Sequence, residues 1–419
     1  MSGRWWLGFD IGGTRTKAGV VADDGSVRHQ HVKDTGHQPF DVVWEHLLEH
    51  VDGAIASEGR SDLAGIGITN QRETTLVWDR ASGEAVYPAI VWQDRRTAAY
   101  CEELRGGEHE SMVADMTGLL IDPYFSGTKV RWILDHVADA RARANAGGLA
   151  FGTIDSYLVW KLTGGANHVT DATNAARTML YDIRKGQWSS TICDRFGIPM
   201  AMLPEVKDCA ADFGMTAPEL FGKSLPILGV AGDQQAATVG QACFQPGMVK
   251  STYGTGCFLL LNTGEKIIHS KNGLISTVGY QLGDNAPVFA LEGSIAITGA
   301  LVQWLRDNLG LIESSAQVET LAREVDDCGG VYFVPAFSGL FAPYWRSDAR
   351  GVIAGLSRYA TKAHLARAAL EKAMDLTRQW GDKYPWVHLY RNLAQVYVEL
   401  GQYDGWCQCC TSSVDGTLQ

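Results

Sequence analysis

The sequence predicts an α/β protein with more than one domain, and three observations carry that prediction. Helical stretches alternate with short apolar runs of strand length. The chain has 419 residues, more than the roughly 100–200 of a single domain. Two glycine-rich stretches lie far apart, "DIGGTRTK" from Asp10 and "KSTYGTGCFLLLNTG" from Lys250, each where an α/β half would open.

From the start of the chain, "WWLGFDIGGTRTKAGVVADDGSV" reads as a strand, a glycine turn, a second alternating strand and an Asp-Asp-Gly turn. That is a β-hairpin opening. A dinucleotide fingerprint needs its glycines to lead into a helix, whereas here Gly12 and Gly13 are adjacent and Gly19 falls in the second strand. A Rossmann cofactor site is therefore excluded at this loop. Helices are expected over Phe40–Ser57, Tyr100–Leu104 and Lys129–Ala144, with strands over Leu63–Thr69, Pro226–Ala231, Met248–Thr252 and Phe258–Asn262.

Hydrophobic residues make up 46% of the chain and charged residues 20%, the composition of a globular protein. With 36 Lys+Arg against 47 Asp+Glu the net charge is −11, which argues against a general nucleic-acid or anionic-membrane binder. A small-molecule partner fits better. The start "MSGRWWLGFD" lacks an apolar signal core, and the apolar stretch near Val288–Leu305 is interrupted by Glu292, so no membrane span and a cytoplasmic location are expected. Cys101, Cys193, Cys209, Cys243, Cys257 and Cys328 are scattered like reduced core thiols. Cys407, Cys409 and Cys410 cluster, but three neighbouring sulfurs fall short of a closed four-ligand metal site.

Four short stretches carry candidate chemistry. In "DIGGTRTK", Asp10 ends a strand, Gly12 and Gly13 let backbone N–H groups approach an anion, and Thr14, Thr16 and Lys17 add donors. The loop reads either as a phosphate and Mg²⁺ site or as a plain hairpin turn. "STYGTGCF" repeats the pattern, with Gly254 and Gly256 flanking Thr255. In "GVAGDQQAATVG", Asp233 follows an apolar run and precedes a helix, where it either accepts a proton from a substrate hydroxyl or caps the helix. "GITNQRETTLVW" sets Arg72 beside Glu73 at the end of a buried strand, as a structural ion pair or a polar clasp.

Longer segments point further. "GITNQRETTLVWDRASGEAVYPAIVWQDRRT", "TGLLIDPYFSGTKVRWILDHV", "HVTDATNAARTMLYDI", "GVAGDQQAATVGQACFQPGMVKSTYGTGCFLLLNTGE", "ITGALVQWLRD" and "VPAFSGLFAPYWRSDARGVIAGL" together resemble the FGGY carbohydrate kinase family, in particular its glycerol-phosphorylating branch. The resemblance covers most of residues 1–376. It implies two ribonuclease H-like domains of the actin/hexokinase type around a cleft, residues 1–242 forming the first and 243–376 part of the second. It also implies transfer of the γ-phosphoryl of ATP to glycerol, with Asp233 as catalytic base. Arg72, Glu73, Trp92, Tyr124, Asp233, Gln234 and Phe258 would then bind the polyol. Gly12, Gly13, Thr14, Thr16, Lys17, Gly254, Thr255, Gly299 and Gln303 would serve the nucleotide, and Asp10 would hold Mg²⁺ directly or through water. The partners implied are glycerol and ATP, and a homo-oligomer is compatible with the family.

The chain departs from the family at its opening loop, in the shorter segment "HQHVKDTGHQPFDVVWEHL" that follows, where a trimmed loop is expected, and at its end. Its opening loop is "DIGGTRTK", closer to other sugar kinases of the superfamily, with Lys17 where an arginine is usual. Residues 377–419, which include "WGDKYPWVHLYRNLAQ" from Trp380, carry no family match, so the second domain is expected to be incomplete and to lack its adenosine-side loop. A catalytically silent chain that binds glycerol or a partner, or a kinase for another small polyol or sugar, are the alternative functions.

Overall fold

The computed structural model describes residues 4–13, 15–34, 40–58, 63–283 and 285–371. Alternation in "WWLGFDI" buries Trp5, Leu7, Phe9 and Ile11 on one face of β1 (Trp5–Ile11). The chain turns through Gly12 and Gly13 into β2 (Arg15–Ala22), which pairs antiparallel with β1, and then into β3 (Val27–Asp34). No helix follows the glycines, as the sequence predicts.

Helix α1 (Phe40–Glu58) sets Leu47 and Val51 into the core, and the chain returns through β4 (Leu63–Asn70), parallel to β1. The helix expected over residues 129–144 is instead two. Helix α2 (Ser126–His136) stops where Val137 turns extended (φ −93°, ψ 128°), and a short helix over Ala140–Asn145 starts after Asp139 in the left-handed region (φ 59°). Apolar periodicity runs through both pieces and so hides the break.

Further along come β5 (Val169–Asp171), the short α3 (Ala172–Ala175), β6 (Gly214–Met215), β7 (Pro226–Gly232) and α4 (Asp233–Gly240). The main sheet has the order β6-β7-β4-β1-β2-β3, with β1, β4 and β7 mutually parallel at its centre. Its core includes Phe9, Ile66, Ile68, Trp78, Tyr157, Leu158 and Val230. The three central strands end level with one another, Ile11 and Gly232 both lying in register with Asn70.

The described residues form two compact units. The first takes those up to Pro246 together with Asn262–Ser270 and Ile275–Leu291. The second takes Gly247–Leu261, Lys271–Leu274 and the described residues from Glu292 onward. The chain thus crosses between units several times. In the first unit, Val278 and Phe289 pack with Ala172, Ala175 and Tyr181 in a satellite core. In the second, β8 (Val249–Tyr253) pairs antiparallel with the start of β9 (Cys257–Gly264), and α5 (Gly299–Asp307) follows. Among the described residues, no helix is long and apolar enough to cross a membrane. The cysteines Cys101, Cys193, Cys209, Cys243 and Cys257 are free and buried, and Cys328 is free and half-buried. Cys407, Cys409 and Cys410, with the rest of residues 377–419, lie outside the described residues.

Candidate active site

Parallel strands that end level leave a crevice at their C-terminal edge, and in open α/β sheets that edge is where ligands bind. Here it gathers the expected side chains of the first unit. Asp10 is the penultimate residue of β1, Arg72 and Glu73 follow β4, and Asp233 follows β7. The amide of Gln71 donates to the carbonyl of Ile11 at 2.8 Å, which carries the β1–β4 pairing one residue further and fixes where Arg72 begins.

Glu73 adopts φ 61°, a left-handed conformation that costs a non-glycine residue about 1–3 kcal/mol and persists only where its surroundings hold it. The hydroxyls of Thr75 and Ser126 both donate to its carbonyl at 3.0 Å. This reversal of the chain lets neighbouring Arg72 and Glu73 side chains share one buried space, with Arg72 Nε 3.6 Å from Glu73 Oε1.

The guanidinium of Arg72 is 2% exposed, and every branch of it has a partner. Nη1 donates to Gln235 Oε1 at 3.2 Å, Nη2 to the Tyr124 hydroxyl at 3.3 Å, and Nε lies 3.5 Å from Asp233 Oδ1. Glu73 Oε1 accepts from Arg177 Nε at 2.7 Å, and the Arg177 guanidinium sits over the Tyr124 and Phe125 rings at 5.5 and 5.4 Å. Buried charges persist only when paired and hydrogen-bonded, and these are both. Trp92 meets Tyr124 edge-on at 5.7 Å and is itself buried, giving the cluster an aromatic wall.

Asp233 is the first residue inside α4, and Gly232 takes the cap position. Its carboxylate accepts from the Gln234 amide at 2.7 Å and the Gln234 side chain at 3.1 Å, while remaining about a third exposed. Gly232 leaves room for this arrangement, because a Cβ there would stand 2.7 Å from Cδ and 2.8 Å from Cγ of Arg72. Asp10 is held up from the usual carboxylate range, first by burial and also by the nearby Asp233 charge, while Lys17 opposes the shift. Lys17 Nζ donates to Asp10 Oδ2 at 3.2 Å.

The opening loop divides its residues. Gly12 and Gly13 form the turn, and a Cβ on Gly13 would meet Gln71 Oε1 at 2.5 Å. Thr16 pairs with Ile11 on the buried face of the hairpin, so strand alternation places it opposite Asp10 and Lys17. Thr14 lies outside the described residues.

In the second unit, the Gly254 and Thr255 carbonyls plug the start of α5. Gly254 accepts from Gly299 N at 3.0 Å, Thr255 from Thr298 N at 3.0 Å and from Ala300 N at 3.2 Å. A Cβ on Gly299 would meet the Gly254 carbonyl at 2.5 Å, so this closure needs glycine. Gly254 N donates to the Gly256 carbonyl, and Gln303 stands half-buried one turn along the helix. Phe258 is buried on β9 within this unit.

Three residues that the sequence reading passed over complete the first unit's cluster: Arg177, Gln235 and Lys129. Lys129 is fully buried, donates to the Tyr124 carbonyl at 2.8 Å, and is pushed down to about 7 by burial, with the Glu73 charge opposing. Arg177 had one usable signal, an arginine standing alone among small and apolar residues in "NAARTML". Such a charge needs a buried partner, and Glu73 is it.

Comparison with known proteins follows the same lines. The model of the FGGY family of carbohydrate kinases, N-terminal domain, matches residues 5–240, and that of the C-terminal domain matches residues 249–383. Glycerol kinase of Roseobacter denitrificans is 58% identical over 354 residues, covering 83% of this chain and 71% of that protein. Glycerol kinase of Methylobacterium nodulans is 56% identical over 377 residues, covering 87% of this chain and 75% of that protein. Among solved structures, Plasmodium falciparum glycerol kinase with ADP superposes with a TM-score of 0.76 at 36% identity, over 90% of this chain and 77% of that one. A xylulose kinase from Rhodospirillum rubrum reaches a TM-score of 0.71 at 24% identity, a likeness of fold.

Proposed function

Because this chain belongs to the FGGY family of carbohydrate kinases, we propose that it transfers the γ-phosphoryl group of ATP to a terminal hydroxyl of glycerol, giving glycerol 3-phosphate and ADP. The observation that carries the reading is the meeting of Arg72, Glu73, Tyr124, Trp92 and Asp233 at one sheet edge, in a chain 56–58% identical to glycerol kinases.

A three-carbon triol offers little apolar surface, so its affinity rests on polar groups that an analogue lacking a hydroxyl would leave unpaired. Arg72 supplies donors and Glu73 an acceptor, both already held by their neighbours, so little ordering remains when the substrate enters. Trp92 and Tyr124 present rings for the carbon chain. Asp233, partly exposed and braced by Gln234, takes the proton of the attacking hydroxyl as the P–O bond forms.

Asp10, the penultimate residue of β1, is a partly exposed carboxylate, and Mg²⁺ characteristically takes one or two carboxylates alongside phosphate oxygens and water. Asp10 fits that ion, holding it directly or through water. When bound, Mg²⁺ neutralises charge on the transferring phosphates. Lys17, Gly12 and Gly13 are assigned to the phosphates in the first unit, and Gly254, Thr255, Gly299 and Gln303 to the nucleotide in the second. The cytoplasm is the proposed location.

A substrate panel tests the reading. With Mg²⁺-ATP, glycerol should be phosphorylated with the highest kcat/KM and yield glycerol 3-phosphate. Preference for a pentulose or hexonate over glycerol would overturn it.

A further inference from the structure

Beneath the sheet edge, and touching none of the groups assigned to substrate, lies a buried polar hub centred on Asp171. Its side chain is fully buried at the end of β5 and collects five donors. Oδ2 accepts from Thr173 N at 2.8 Å, from Thr173 Oγ1 at 2.5 Å and from the Cys209 thiol at 3.3 Å. Oδ1 accepts from Asn174 N at 3.1 Å and Asn174 Nδ2 at 2.8 Å. Capping the four-residue helix α3 accounts for the two amides and for nothing else in this set.

The remaining contacts lead to the two strand ends that carry the site. Thr173 Oγ1, while donating to Asp171, accepts from Gly232 N at 2.9 Å, and Gly232 is the residue immediately before Asp233. Asn174 exchanges two side-chain hydrogen bonds with Asn70, both at 3.2 Å, and Asn70 ends β4 two residues before Arg72. All four of Asn70, Asp171, Thr173 and Asn174 are buried. Gly232 also faces the Arg72 stem, so any drift of its backbone moves Asp233 and crowds Arg72 together.

We propose that Asp171, through the Thr173 hydroxyl, is a positioning residue for phosphoryl transfer: it locks the Gly232 peptide and so aims Asp233, while Asn174 and Asn70 tie the same anchor to the strand end bearing Arg72. The geometry is specific. A hydroxyl between a carboxylate and a peptide N–H must donate to the first and accept from the second, so its orientation has one solution. Buried networks with every member satisfied fix a single arrangement of the groups around them. Since positional errors of about 1 Å can slow an enzymatic step by roughly 100-fold, a lock on this peptide acts on the chemical step more than on substrate affinity.

The inference rests on the assignment of Asp233 as base, and the test keeps the two apart. Four variants of the full chain are compared with wild type at saturating Mg²⁺-ATP: Thr173→Val, Thr173→Ser, Asp171→Asn and Asp233→Asn. Rates are normalised to the folded fraction from thermal unfolding. Thr173→Val keeps the shape and loses both hydrogen bonds, and is expected to lower kcat at least about ten-fold with the glycerol KM changed less than about three-fold. Thr173→Ser should restore kcat to within about three-fold of wild type. Asp171→Asn should show the same kcat-weighted loss and decides the matter should Thr173→Val not fold. Wild-type kcat per folded molecule in Thr173→Val or Asp171→Asn overturns the proposal, as does a loss that serine fails to restore. Undiminished turnover in Asp233→Asn would instead remove the assignment on which it rests.

Discussion

Arg72 Nε lies 3.5 Å from Asp233 Oδ1 and 3.6 Å from Glu73 Oε1, so one buried guanidinium stands between the proposed base and the proposed polyol acceptor. Its two other nitrogens are engaged with Gln235 and Tyr124. A lysine cannot reproduce this planar fork. Arg72→Lys should therefore raise the glycerol KM and lower kcat together, reducing kcat/KM by about 100-fold or more, as steady-state kinetics against glycerol would register.

Arg177 contributes through Glu73. Arg177→Met removes the shortest partner of a carboxylate that is 2% exposed. Breaking a buried pair from one side typically costs about 3–5 kcal/mol. Urea unfolding should show a loss of that order, whereas a change under about 1 kcal/mol would mean that the remaining partners of Glu73 suffice for it.

Gly232→Ala places a methyl group against the Arg72 stem at 2.7 Å, although the backbone there (φ −60°, ψ 149°) suits any residue. The cost is therefore steric and local. The expected result is a fall in kcat/KM of about 10- to 100-fold. Gly67→Ala is the control, since a Cβ on that glycine of β4 meets nothing within 4 Å, and near-wild-type kinetics are expected.

Asp155, fully buried and hydrogen-bonded by Thr153 and Thr170, is pushed up to about 7, first by burial and then by the Asp171 charge. Its pKa is higher folded than unfolded, so its contribution to stability is complete below the unfolded value near 3.8 and is lost as pH rises through 7. Asp155→Asn stays uncharged throughout and removes that slope. Relative to wild type, the variant should gain at least about 1 kcal/mol in unfolding free energy between pH 5 and pH 8. An unchanged difference across that range would place the titration elsewhere.

Local chemistry explains what the sequence made legible. The hairpin opening follows from adjacent Gly12 and Gly13 between alternating strands, and the core of the sheet from the apolar runs at Leu63–Asn70 and Pro226–Gly232. Arg72, Glu73 and Asp233 could be singled out because charged residues directly after buried strands are unusual. Gln235 could not, and for Arg177 only the need for a buried partner was readable, because both meet their partners across more than 100 residues of chain. Thr16 shows the limit of reading a loop as a list of donors: the two-residue period of β2 turns it to the buried face, while Lys17 beside it reaches Asp10. The break at Val137 was hidden for the opposite reason, since apolar spacing continues across it while the backbone does not.

The most direct test of the account is glycerol-dependent ADP release by the 419-residue chain with Mg²⁺-ATP, measured beside Asp233→Asn. The account predicts release that requires glycerol, and a kcat lower by about 100- to 10,000-fold in the variant, the range associated with a positioned general base. A folded wild-type chain that releases no ADP on adding glycerol, or a variant that turns over as fast as wild type, would contradict it.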